Sequence, residues 1–123
     1  MTNLKKRTKS FGYALKGLST LFTETPNALM QLLAAIAVVI LGVLLKISKQ
    51  EWLAVIIVIG LVFALESINT ALETLSDYAC HKEIHPAIKK VKDLSAAAVL
   101  VGALAALVVG IVVFLPKIIS IFS

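Results

Sequence analysis

Residues 52–77, WLAVIIVIGLVFALESINTALETLSD, decide the fold. Trp52 to Leu65 carries no charge, yet it runs without a break into a segment holding three carboxylates and an asparagine. A hydrocarbon core about 30 Å thick takes roughly 20 helical residues, so this run spans a bilayer only if it includes part of the polar stretch. Inside lipid the backbone must satisfy its own hydrogen bonds, which favours a helix over an open strand. On a helix, Glu66, Asn69, Glu73 and Asp77, spaced by three, four and four residues, project from one face with Thr70 beside them. At 1.5 Å per residue Glu66 lies ~21 Å beyond Trp52, inside the far leaflet, and Glu73 lies about two turns closer to water.

Two further runs flank this one. Ala28 to Leu45 has Gln31 as its only strongly polar member, and Leu94 to Leu115 contains no charge. The 123-residue chain is 59% apolar with a mean hydropathy of +0.98, more than a small globule can hide from water. The sequence therefore predicts a single-domain, all-α membrane protein over residues 1–123, with transmembrane helices at 28–46, 52–76 and 93–116. The first run does not read as a cleavable signal peptide, because it begins at residue 28 and leads through a short hairpin into another span. Cys80, the single cysteine, excludes an intramolecular disulfide.

Charge gives the orientation. Lys5, Lys6, Arg7, Lys9 and Lys16 precede the first span, and Lys82, Lys89, Lys90 and Lys92 lie between the second and third. Lys46, Lys49 and Lys117 fall on the other side, so the N-terminus and the second loop are expected on the cytoplasmic side. The net charge of +5 suits anionic lipid headgroups. No nucleic-acid-binding motif is present, and no nucleic-acid partner is expected.

Ahead of the first span, Leu4, Phe11, Leu15, Leu18 and Phe22 share one helical face with lysines on its flank, which predicts an interfacial amphipathic helix over 3–24. Thr25-Pro26 ends or kinks it. The ISKQE connection, residues 47–51, makes the first two spans antiparallel neighbours, with Trp52 placed as an interfacial anchor. The longer loop at 76–93, broken by Pro86, is expected to contain a protruding end of span two and a short helix leading into span three. Ser95, Ala98, Gly102 and Ala105 form a small-residue stripe that permits close helix packing.

An ionisable group inside a span costs ~2.5–3.5 kcal/mol at a helix centre even on the insertion scale, and is a functional signal by default. One isolated glutamate could merely bind neighbouring helices, but four aligned polar groups ask for more. A carboxylate just below the headgroups meets a lipid hydroxyl, and desolvation makes Glu66 a better base for it than an exposed glutamate. A carboxylate at the interface, Glu73, holds a divalent cation shared with a phosphate donor. The geometry suits a kinase working at a membrane surface.

Here the residues resemble the prokaryotic integral-membrane diacylglycerol kinases and the related undecaprenol kinases. The resemblance rests on FGYALKGL at 11–18, ALESINTALETLSD at 64–77, EIH at 83–85 and KDLSAAAVL at 92–100. It implies a homotrimer of three-span subunits, with sites between subunits, that transfers the γ-phosphoryl group of ATP to diacylglycerol or undecaprenol. By the same resemblance Glu66 is the catalytic base, Asn69 its polar support and Glu73 a ligand of Mg²⁺. Lys6, Tyr13, Glu83, His85, Lys92 and Asp93 match positions around the nucleotide, and Asp77 is an orienting partner there. No Walker A or kinase glycine-rich loop is present. The chain departs from the family pattern at Thr25, where a second metal-binding glutamate is usual, and the neighbouring Glu24 is the candidate replacement. Leu29 stands where a basic residue is common. Two other readings stay open: a small proton-coupled transporter subunit built on Glu66, and a noncatalytic assembly partner using the polar stripe.

Overall fold

The computed structural model describes residues 2–81, 83 and 85–123. Lys82, counted among the inner-face cations, and Ile84 of the EIH motif lie outside the described residues. The chain is all-helical, in the order α1 (Thr2–Glu24), α2 (Pro26–Leu44), α3 (Lys49–Cys80) and α4 (Pro86–Phe122). By length and composition α2, α3 and α4 can each cross a membrane.

The α1–α2 break follows from Pro26. A proline pushes the preceding residue out of the helical region, and Thr25 is extended at φ −119°, ψ 103° while Pro26 opens α2. Leu21 is buried at this junction, and the Phe22 ring meets Phe63 of α3 edge-on with centroids 5.5 Å apart. The more N-terminal Leu4, Phe11, Leu15 and Leu18 of α1 are exposed.

The α2–α3 hairpin is fixed by paired helix caps. Lys46 N–H donates to Val43 O and Ile47 N–H to Gly42 O, closing α2 in a Schellman arrangement with Lys46 in the left-handed region at φ 52°. That conformation costs a side-chain-bearing residue roughly 1–2 kcal/mol. Ser48 then starts α3 through a capping box, its Oγ accepting from Glu51 N–H at 3.2 Å while Glu51 Oε1 accepts from Ser48 N–H at 2.9 Å. Trp52 folds back over α2 rather than acting only as an anchor. A Cβ on Gly42 would sit 2.8 Å from its ring, so this close approach requires glycine.

The α3–α4 pair is the principal packing unit. The two helices run antiparallel, held by Glu51–Lys117 at one end and Asp77–Lys92 at the other. Those brackets are ~39 Å apart along α3, close to the ~40–45 Å thickness of a bilayer with its headgroups. Between them the small-residue stripe of α4 lets the helices approach, with Ser95 and Gly102 buried and Leu65 laid against Gly102. A core of Ile47, Val55, Val113 and Phe114 seals the Lys46 end.

One expectation is corrected. The short separate helix anticipated before span three does not exist; Pro86 opens a single 37-residue helix that continues through the span. Proline is well tolerated in the first turn, where its missing N–H has no partner to lose. With 32 and 37 residues, α3 and α4 are ~48 and ~55 Å long, so both outreach the hydrocarbon layer.

Candidate functional site

The polar stripe on α3 is divided among three neighbours. Glu66, nearest the apolar run, is 2% exposed, and among the described residues its one hydrogen bond is a 3.4 Å contact from Gln31 Nε2 of α2. A carboxylate in an apolar site normally needs several short donors to hold its charge, and here it has a single long one. Glu66 therefore keeps free accepting capacity in a place shielded from water.

One turn on, Asn69 is oriented from both sides. Its Oδ1 accepts from Ser95 Oγ of α4 at 2.5 Å, and its Nδ2 donates to Glu73 Oε1 at 3.4 Å. Ser95 is 6% exposed, so this bond fixes the asparagine rotamer from a rigid helix. Glu73 is exposed, with one oxygen turned to Asn69. A carboxylate with accepting oxygen at the edge of water, and Asp77 one turn away, fits Mg²⁺, which takes one or two carboxylates and completes its shell with phosphate and water oxygens. Among the described residues no group of three or more His, Cys, Asp or Glu side chains is gathered.

Beyond the stripe, α3 and α4 frame a cleft of ≈ 240 Å³ lined by Asp77, Cys80, Glu83, His85, Lys89 and Lys92. Lys92 Nζ donates to Asp77 Oδ1 at 2.5 Å, and this bond holds its ammonium above the ordinary lysine range. Lys89 pairs with Asp93 at 2.7 Å, one turn along α4, and that hydrogen bond likewise raises the lysine. His85 caps α4, its Nδ1 accepting from Ala87 N–H at 3.2 Å. That bond makes Nδ1 the unprotonated nitrogen and leaves Nε2 as donor. The cleft thus offers cations and an imidazole N–H to an anion, with carboxylates at its rim.

The structure accordingly gathers Asp77, Glu83, His85 and Lys92 around one cleft and joins Asn69 to Glu73. Asp93 stands next to it on α4 but faces Lys89. Lys6, Tyr13 and Glu24 are exposed on α1, and among the described residues their side chains make no hydrogen bond or ion pair within the chain. Sequence reasoning passed over Gln31 and Ser95 as site residues. Gln31 was visible only as the lone polar residue of an apolar run, and Ser95 only as a member of a packing stripe.

A family model for prokaryotic diacylglycerol kinase matches residues 12–114, which takes in α2 and α3 whole and most of α4, with the second half of α1. An undecaprenol kinase of Bacillus subtilis is 38% identical over 109 residues, covering 89% of this chain and 88% of that protein. A diacylglycerol kinase of Synechocystis sp. is 34% identical over 111 residues, covering 90% of this chain and 63% of a longer protein.

Proposed function

This chain belongs to the prokaryotic diacylglycerol kinase family and is a lipid kinase, and we propose that it moves the γ-phosphoryl group of Mg-ATP onto the hydroxyl of a membrane lipid alcohol at the Glu66 end of its polar stripe. With three apolar helices and this family, it is a multi-pass membrane protein. The observation that carries the reading is Glu66 itself, 2% exposed with one 3.4 Å contact, at the head of a line of polar side chains that ends in a charged cleft.

In the proposed step the lipid oxygen attacks the γ-phosphorus. The new O–P bond forms as the bond to the ADP oxygen breaks, and the hydroxyl proton passes to Glu66. Asn69, locked by Ser95, keeps Glu73 turned toward the same region. Lys92 and His85 hold the phosphates from the cleft, with Asp77 orienting Lys92 and with Glu83 and Asp93 at the margin. Glu73 would hold Mg²⁺, whose charge would offset that of the transferring phosphoryl group. Glu24 is proposed as a second carboxylate for the ion, and Lys6 and Tyr13 as nucleotide contacts. Within a homotrimer these exposed groups of α1 would meet the stripe of a second copy.

The apolar face of α1 is proposed to lie on the inner leaflet of a bacterial inner membrane, with the N-terminus and the 81–85 connection on the cytoplasmic side, where ATP is present. Undecaprenol is favoured over diacylglycerol as acceptor, because the relative whose length is matched almost in full carries that name. The test is transfer of radiolabelled γ-phosphate from Mg-ATP by purified protein in mixed micelles, with undecaprenol and diacylglycerol offered separately and together. Label in undecaprenol supports the full reading, and label in diacylglycerol alone corrects the acceptor. Label in neither, by folded protein with Mg²⁺ varied, contradicts both acceptors.

A further inference from the structure

At the Lys46 end, the closing turn of α2 and the last turns of α4 frame an open cleft of ≈ 400 Å³. Lys46, Lys117 and Ser120 supply its polar lining, and Leu44, Leu45 and Ile121 supply apolar lining. Leu44 and Ile121 are exposed. Lys46 holds a left-handed backbone, φ 52°, at the position after the helix end where glycine is unstrained. A strained position that keeps its side chain points to a use for that side chain. The three ion pairs among the described residues leave Lys46 out. Lys117 gives a 3.2 Å contact to Glu51, and an ammonium has three donors. With Lys49, three cations stand at this end against one acidic side chain, Glu51.

The Glu51–Lys117 and Asp77–Lys92 brackets are about a bilayer apart, which puts this cleft at headgroup depth. Two ammonium groups and a hydroxyl beside apolar side chains match a lipid phosphate and the first carbons of its tails. A free phosphate ion would leave the leucines uncovered. A zwitterionic headgroup would bring its own cation into a cluster that already has an excess. We propose that this cleft binds one anionic phospholipid of the leaflet opposite the Asp77–Lys92 end, with Lys46, Lys117 and Ser120 donating to its phosphate and Leu44, Leu45 and Ile121 against its acyl chains. The site goes beyond the kinase reading and depends only on the chain's spanning a membrane. Its occupant pins the α2–α3 hairpin at a fixed depth.

The experiment reconstitutes the full chain in phosphatidylcholine vesicles holding a minor fraction of phosphatidylglycerol, with brominated acyl chains on one lipid at a time. Bromine quenches tryptophan only near contact, and Trp52, the single tryptophan, lies against Gly42 one turn before Lys46. Wild type is expected to enrich phosphatidylglycerol over phosphatidylcholine there by about fivefold or more. Lys46→Asn and Lys46→Gly, which suit the left-handed backbone, should each lower that preference about fivefold, the worth of one lysine at a membrane surface. Lys9→Asn, which removes a cation from α1, should leave it unchanged. Equal quenching by the two lipids in wild type would overturn the proposal, as would an undiminished preference in both Lys46 variants. Equal losses in Lys9→Asn and Lys46→Asn would mark overall charge rather than a site. Displacement of the lipid by an equal concentration of inorganic phosphate would mark a free-anion site, and either result overturns the proposal.

Discussion

Glu51 and Glu66 sit on the same helix and differ in everything but chemistry. Glu51, at the Lys46 end of the hairpin, accepts from Ser48 N–H at 2.9 Å and pairs with Lys117 at 3.2 Å. The Ser48 backbone donor, with help from Lys117, holds its carboxyl below the usual range. Glu66 is more deeply buried and has a single 3.4 Å contact. A carboxylate with one oxygen shared by a cap and a cation is part of the scaffold. One that is buried with a single long contact among the described residues is the proposed base. Both lysines pair with a carboxylate of α3, Lys117 with Glu51 and Lys92 with Asp77, but Lys92 shares its cleft with Glu83 and His85.

The widest separation between the two ends is expected from neutralising the glutamates. Glu66→Gln should slow phosphoryl transfer by about 10²–10⁴-fold, the usual worth of a general base, with helical content retained. Glu51→Gln should lower the thermal unfolding temperature and leave the transfer rate near that of wild type. Circular dichroism melts beside an initial-rate assay check both. Equal losses of activity would erase the distinction.

A smaller difference is expected between the lysines. Lys92→Met should raise the KM for ATP about tenfold or more, as the loss of a charge-assisted hydrogen bond does, with a lesser effect on the KM for lipid. Lys117→Met should leave both constants unchanged. The smallest effects concern positioning and strain. Ser95→Ala frees Asn69 and should slow transfer by roughly three- to tenfold, about the value of one neutral hydrogen bond. Lys46→Gly relieves a left-handed residue and should stabilise the protein by up to about 1 kcal/mol without altering the rate. Thermal unfolding in the same micelles measures the second.

Much of the Asp77 end of this comparison is legible in the sequence, because it is local. Glu66, Asn69, Glu73 and Asp77 share a face through helical spacing alone, and three apolar runs announce three spans. What could not be read is long-range. The Gln31–Glu66 contact joins residues 35 apart, and the Ser95–Asn69 bond joins residues 26 apart, neither with a motif to mark it. Pro86 was read as a break because proline usually ends helices, although in a first turn it begins one. The left-handed Lys46 was equally hidden, since a sequence signals that conformation when it places glycine there. Lys6, Tyr13 and Glu24 are exposed on α1, and neither spacing nor the contacts of one chain link them to the polar stripe.

On the proposed function, the Asp77–Lys92 end of the α3–α4 pair carries the chemistry and the Glu51–Lys117 end carries structure. Sealed proteoliposomes test it most directly. The protein is reconstituted, and its orientation is scored with a membrane-impermeant maleimide on Cys80, the single cysteine, which lies at the end of α3. Mg-ATP labelled in the γ-phosphate is then supplied to one face at a time. Label should enter the lipid alcohol only when ATP is on the Cys80 side, in proportion to the fraction of protein facing that way. Transfer supported from the Lys46 side would contradict the account.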